Sequence, residues 1–196
     1  MNPSNSVRDL SVFLDNELTM GPHINKISSV CFCHLRRLRQ LRRLFALAIM
    51  QRLVSAFVIT RLEYCNSTLA GLPACALEPF QSVLHAAIRL VAGLGPRDHV
   101  KESMKDLHWL PIADRIKFKL CILMHAASFG QSPSYFRDLL VPVSQMQGRT
   151  RSRSAAAGLY DVPFIRTQFG RRAFMVASPS EWNSLPVNIR QIPDIR

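Results

Sequence analysis

From Pro22 to Phe45 the chain reads PHINKISSVCFCHLRRLRQLRRLF, and the rest of the molecule has to be built around this stretch. Laid on a helix at about 3.6 residues per turn, Ile24, Ile27, Cys31, His34, Leu35, Leu38, Leu41 and Phe45 fall along one broad stripe that needs covering. On the opposite side Phe32, Arg36, Arg39 and Arg43 recur every three or four residues and make one row. Arg42 flanks that row, and Arg37 projects to the other edge of the stripe. No acid lies between Glu17 and Glu63, so these guanidiniums repel one another unless something anionic sits beside them. Two readings stand side by side. The row is a solvated basic face, or it is a phosphate-facing surface on which Phe32 stacks against a base.

The remaining chain punctuates into helices. Val7 to Leu14 has β-branched and aromatic content and reads as a short strand, with Asp15-Asn16 as its turn. Gly21-Pro22 opens the basic helix. A second helix, about Ala46 to Leu69, is apolar at Ile49, Leu53, Ala56, Phe57, Thr60 and Tyr64, with the break between the two near Leu44 to Ala48. Gly71-Leu72-Pro73 ends it, Pro79 opens a third helix, and Gly93 with Gly95-Pro96 closes that one. Asp98 is placed to cap a short helix ending before His108-Trp109-Leu110-Pro111. Ile112 to Phe129 forms another helix, and Ser132-Pro133 starts a last short one through Leu140.

Val141 to Gly158 carries Arg149, Arg151 and Arg153 alternating with threonine and serines. It reads as a solvated basic linker, a nucleic-acid or import patch, or a phosphorylation site. Beyond it Leu159 to Phe164 reads as a strand, and Phe169 to Ala177 and Pro179 to Leu185 as short helical pieces. The fold class is therefore mainly α: a helical bundle preceded by a short β-strand or hairpin and followed by a less regular C-terminal segment.

The 196 residues suit one domain or little more, and 48% hydrophobic content supports a real core. A net charge of +12 favours nucleic acid, and less strongly an anionic membrane surface, over a small neutral substrate. Cys31, Cys33, Cys65, Cys75 and Cys121 are odd in number and lie mostly in apolar helical patterns, so they read as reduced, buried thiols. No secretory signal is recognisable in Met1 to Asp15, and the apolar run Leu44 to Met50 is broken by Gln51 and Arg52. The expected setting is intracellular, nuclear or cytoplasmic, without membrane insertion.

Catalytic chemistry has no foothold in these residues. A two-metal polymerase or nuclease site needs acids held together, and the chain has no Asp-Asp pair; Asp15 reads as a turn residue. Gly93-Leu94-Gly95 lacks the third glycine of a phosphate loop, and no Gly-x-Ser-x-Gly elbow occurs. Cys31, Cys33 and His34 crowd one helix, but Cys33 faces away from the other two. His34 reads as a core histidine, and Trp109 and Trp182 as core anchors. No cofactor or metal is expected.

Six segments carry a resemblance: Arg61-Leu62-Glu63-Tyr64-Cys65-Asn66-Ser67, Gly71-Leu72-Pro73, Leu107-His108-Trp109-Leu110-Pro111, Arg115-Ile116-Lys117-Phe118-Lys119, Gly170-Arg171-Arg172-Ala173-Phe174 and Trp182-Asn183-Ser184-Leu185-Pro186. In order and spacing, from about Val7 to Arg190, they resemble the reverse transcriptase of LINE-type (non-long-terminal-repeat) retrotransposons of the Jockey-like group. The resemblance implies a residual palm strand in residues 1–20, a thumb-like and connecting helical domain in 21–140, a basic linker in 141–158 and a truncated C-terminal segment in 159–196. The fingers and the catalytic palm with its Ala-Asp-Asp metal site would lie upstream. Ser11 stands where the family usually has glycine, and Glu63 where it has aspartate.

A polymerase thumb grips primer–template by its backbone without reading sequence. The resemblance thus implies a non-catalytic nucleic-acid-binding fragment whose partner is an RNA–DNA hybrid or a duplex. The residues expected to contact it are Phe32, Arg36, Arg39, Arg42 and Arg43, extended by Lys26 and Arg52, with Arg149, Arg151 and Arg153 in the basic run. The alternatives are a protein-interaction module that buries helix faces orphaned by loss of the palm, and a decayed element fragment without function.

Overall fold

The computed structural model describes residues 6–146 and 158–193, which are mainly helical behind an N-terminal two-stranded hairpin. The chain divides into two compact units, Met1–Asn66 with Leu72–Arg115, and Ser67–Gly71 with Ile116–Arg196.

The first unit opens on strands β1 (Ser6–Asp9) and β2 (Val12–Asp15), paired antiparallel with Ser6 opposite Asp15 and Asp9 opposite Val12. The single strand expected over Val7 to Leu14 is thus folded back on itself. Leu10 and Ser11 reverse it with φ of 42° and 67°, the left-handed pair that a two-residue hairpin turn demands. Asp15, read from sequence as a turn residue, is the last residue of β2, and its side chain holds the turn that follows: the carboxylate accepts from the Thr19 hydroxyl at 2.7 Å and from the Thr19 and Met20 N–H groups at 3.1 and 3.0 Å.

Helix α1 (Gly21–Leu41) buries His23, Ile24, Ser28, Cys31, Leu35 and Leu38. The expected stripe holds along the helix body and fails at its end, where Leu41 is exposed and Phe45 lies beyond the last helical residue. Helix α2 (Leu47–Val54) then runs through a π-helical turn (Ser55–Ile59) into α3 (Thr60–Glu63). The side chains buried there are Met50, Val54, Val58, Ile59 and Leu62. A spacing of four drifts around a helix of about 3.6 residues per turn, and the wider π turn takes up the drift so that one face stays covered. The face read as apolar from sequence is consequently the outer one: Ile49, Ala56, Phe57, Thr60 and Tyr64 are exposed, and Leu53 is half-buried. This segment also stops at Glu63 rather than Leu69, because Tyr64 turns to extended backbone and Cys65 takes φ 52°.

Helix α4 (Ala74–Ala92) packs across α1 and α2. Pro79 does not open α4 but sits inside it, since Ala74 to Glu78 supply an earlier turn and Leu77 joins the buried face. Phe80, Val83, Leu84, Ile88 and Val91 are at most 1% exposed, and burial of each stabilises the unit by about 1.5–3 kcal/mol. Gly93 ends the helix at φ 71°, its N–H and that of Leu94 both returning to Arg89 O. Asp98 does not cap α5 (Lys101–Asp106); its carboxylate accepts instead from the Gly95 N–H at 2.7 Å. Helix α6 (Ile112–Ser128) begins in this unit, where Gln81 Oε1 accepts its first N–H at 3.0 Å and the Arg115 guanidinium pairs with Glu63.

In the second unit Met124, Ala127, Leu140 and Trp182 form a buried cluster, against which Tyr160, Phe174 and Leu185 pack. Helix α7 (Ser134–Asp138) has Pro133 at its cap position, so Ser132 is not the cap. Leu159 to Phe164 is not a strand. It makes one antiparallel bridge, Tyr160 to Pro142, because neither Pro142 nor Pro163 has an N–H with which to extend a ladder. Helix α8 (Gln168–Arg171) is short, and Phe174 to Ser184 form one helix, α9, that carries Pro179 inside it rather than starting there. A final turn, α10 (Val187–Arg190), follows Pro186. Trp109 and Trp182 are buried, as their reading as anchors expects.

Candidate nucleic-acid interface

Because α1 spends its apolar stripe on α4 and β2, its opposite face is free to carry charge. Phe32, Arg36 and Arg39 are exposed on that face, and Arg37 is exposed as well. The helix ends at Leu41, so Arg43 is presented from the turn that follows rather than from the helix itself. Lys26 is exposed nearer the helix start, about 15 Å along the axis from Arg36. Arg52 is exposed in the last turn of α2. Arg149, Arg151 and Arg153 lie outside the described residues.

Arg42 has a different employment. It is half-buried, and its guanidinium donates from Nε to Leu90 O at 3.0 Å and from Nη2 to Val91 O at 3.3 Å. These carbonyls belong to the last turn of α4, where helical partners run out and the helix dipole is negative. Arg42 therefore closes the C-terminus of α4, and the flanking position read from sequence is first a structural one. The same contact brings α1 and α4 together around a groove of about 490 Å³, bordered by Arg39, Arg42 and Arg89 and lined also by Ala86, Leu90 and Leu94.

Arg89 joins this surface without any mark in the helical spacing of α1. Its Nη2 donates to Asp98 O at 3.4 Å, while its buried Nε has no acceptor. The one signal in the sequence is a lone arginine in an apolar helix, a turn before the glycine that closes it. Among the described residues the ion pairs are Lys105–Glu102 and Arg115–Glu63, so no arginine of α1 and neither Arg43 nor Arg89 is paired with an acid. The local field registers on His34, whose pKa is lowered first by burial and then by the positive charges of Arg61 and Arg37. His34 is half-buried and stacks on Phe57, with ring centroids 5.6 Å apart.

The cysteines correct one expectation. No disulfide joins the five, but only Cys31 is buried; Cys65 and Cys121 are half-buried, and Cys33 and Cys75 are exposed. Burial pushes the Cys31 thiol up to about 11, against a smaller opposing effect of Arg61. Among the described residues no three His, Cys, Asp or Glu side chains gather where they could hold a metal ion.

Several of the motif residues hold the fold together. Glu63 and Arg115 pair with each other. Gly71 adopts φ 69°, and a Cβ there would stand 2.9 Å from Arg172 Cγ. Asn183 clamps the Tyr160 backbone from both sides, accepting its N–H at 3.1 Å and donating to its O at 2.8 Å. The unpaired guanidiniums of α1 and the turn after it, by contrast, lie outside the motif segments, and together they form a surface suited to anions.

No helix among the described residues is long and apolar enough to cross a membrane. Comparison of the chain with protein-family models, with curated proteins and with solved structures finds no match.

Proposed function

We propose that this chain is a non-catalytic nucleic-acid-binding fragment of the thumb and C-terminal region of a LINE-type reverse transcriptase. It grips an RNA–DNA hybrid or a duplex by the backbone and reads no sequence. The observation that carries the reading is the set of exposed guanidiniums on and after α1, Arg36, Arg39 and Arg43, with no acid paired to them among the described residues. A helix fixes the backbone from which Arg36 and Arg39 project, the planar guanidinium loses less freedom per hydrogen bond than an ammonium does, and phosphate contacts position a duplex without specifying it. Phe32 adds a stacking surface next to the row. The test is binding of a fluorescently labelled hybrid duplex, followed by anisotropy, to the wild-type chain and to an Arg36→Ala, Arg39→Ala, Arg43→Ala variant of unchanged helical circular dichroism. The variant loses most of its affinity for every sequence tried; full affinity would overturn the proposal.

A second reading rests on the outer face of α2, the turn before it and the π turn after it. Leu44, Leu47, Ile49 and Phe57 are between 43% and 73% exposed, an apolar surface that a protein partner would cover. A chain that stays strictly monomeric in light scattering and retains no protein in pull-down counts against this reading.

A further inference from the structure

We infer that His85, in its neutral form, holds the start of α6 against α4 through Gln81, and that protonation of its ring releases this hold. The N–H of Ile112 is the first of α6, and no carbonyl of its own helix can serve it. Gln81 supplies the acceptor from α4, its Oε1 lying 3.0 Å from Ile112 N. The other end of the same amide, Gln81 Nε2, lies 2.7 Å from Nε2 of His85, one helical turn further along α4. Because the amide oxygen is committed to Ile112, the group facing the ring is the NH2, which can only donate. His85 Nε2 is therefore a bare acceptor, and the ring proton sits on Nδ1.

Protonation places a second N–H on the ring, at Nε2, facing the donors of the amide. Turning the amide over answers the ring but points the NH2 at the Ile112 N–H, so all three groups are satisfied only while His85 is neutral. Gln81 and His85 are half-buried and Ile112 is 3% exposed, so water is poorly placed to stand in for the lost partner. The surroundings favour the neutral ring: burial lowers the His85 pKa below the usual 6.5, the charge of Arg89 lowers it further, and Glu78 opposes both. Charges on the elements packed against α4 are engaged elsewhere. Arg42 is held at Leu90 O and Val91 O, Glu102 and Lys105 of α5 pair with each other, and Arg115 of α6 pairs with Glu63. Arg52 of α2 is exposed, the Asp98 carboxylate accepts from the Gly95 N–H, and His23 of α1 meets α4 at Phe80. Since the folded pKa lies below the unfolded 6.5, the hold is complete above pH 6.5 and is lost as pH falls through the folded value.

The test is nuclear magnetic resonance of the nitrogen-labelled chain between pH 7.5 and pH 5. Side-chain spectra show which ring nitrogen of His85 carries a proton. Exchange of the Ile112 amide with water, corrected for the intrinsic effect of pH, reports the hold on α6. At pH 7.5 the His85 proton is expected on Nδ1. As His85 titrates, with a midpoint below 6.5, the Ile112 amide exchanges about tenfold faster. The amide of Ile88, on the buried face of α4, keeps its protection, which separates release of α6 from unfolding of the unit and from the titration of His23. Gln81→Glu offers acceptors to both neighbours, so it raises the His85 midpoint and leaves Ile112 protected at pH 5. His85→Leu makes the corrected Ile112 rate independent of pH. A proton on Nε2 at pH 7.5, an Ile112 rate that does not follow the His85 titration, or the same acceleration in a folded Gln81→Glu protein would overturn the inference.

Discussion

Replacing Arg42 with alanine separates structural from binding roles among the arginines. The side chain supplies two charge-assisted hydrogen bonds to Leu90 O and Val91 O, at 3.0 and 3.3 Å. Hydrogen bonds from charged donors contribute about 1.5–3 kcal/mol when well buried, and a cation at a helix C-terminus about 0.3–1 kcal/mol. Arg42 is half-buried and one bond is long, so solvent screening lowers the sum. The net expectation is a loss of about 2 kcal/mol for Arg42→Ala. Urea unfolding read from Trp109, which is 9% exposed in the first unit, follows this loss if Trp182 is replaced by Phe in both proteins compared. With a slope of roughly 1–3 kcal/mol per molar urea, the midpoint falls by about 1 M. Arg43→Ala, at an exposed position, moves it by no more than about 0.5 kcal/mol allows. Equal midpoints for the two variants would refute the assignment of Arg42 to the end of α4.

Further expectations follow from the same geometry. Ser11→Gly relieves the left-handed φ of 67° in the hairpin turn and stabilises the first unit by about 0.5–1 kcal/mol, visible as a raised urea midpoint; a lowered midpoint would contradict the turn. With a thiol reagent at pH 8, Cys33 and Cys75 react first and Cys31 last, since its thiol is buried and pushed up to about 11; early labelling of Cys31 in a mass-spectrometric time course would contradict the packing of α1. His23 is buried, its Nδ1 accepts the Phe13 N–H at 3.4 Å, and burial lowers its pKa from the usual 6.5. Below 6.5 the unfolded chain therefore takes up a proton that the folded one resists, so stability declines as pH falls through that value and on to the folded pKa. His23→Asn keeps an acceptor at the position of Nδ1 without titrating, and its urea midpoint declines less between pH 7.5 and 5.5 than that of the wild type.

The body of α1 was legible in the sequence because Ile24, Cys31, Leu35 and Leu38 repeat with the helical period along its length. So was the end of α4, where Gly93 supplies the left-handed residue that closes a helix. The covered face of α2 was not legible. A window of helical periodicity selects Ile49, Phe57 and Tyr64, whereas Met50 and Val54 are the buried residues of α2 and the π turn at Ser55–Ile59 keeps Val58 and Leu62 in line with them. Nothing in residues 55–59 marks such a turn in advance. Pro79 misled in the opposite sense, since a proline near a helix start reads as the start itself, and the burial of Leu77 outweighs that signal.

At the candidate interface, exposure of Arg36 and Arg39 follows from their position opposite the apolar stripe. The separate fate of Arg42 depends on where α1 crosses α4, and the inclusion of Arg89 depends on the same crossing. Neither is encoded in local spacing.

The most direct test of the central claim is the salt dependence of binding to a DNA duplex, measured for the wild-type chain and for the Arg36→Ala, Arg39→Ala, Arg43→Ala variant. Each phosphate neutralised contributes about −0.9 to the slope of log affinity against log salt. If the three arginines each meet one phosphate, the wild-type slope is steeper than the variant's by roughly 2.7. Equal slopes for the two proteins would mean that these guanidiniums face water alone, and the account of α1 as a phosphate-facing helix would be wrong.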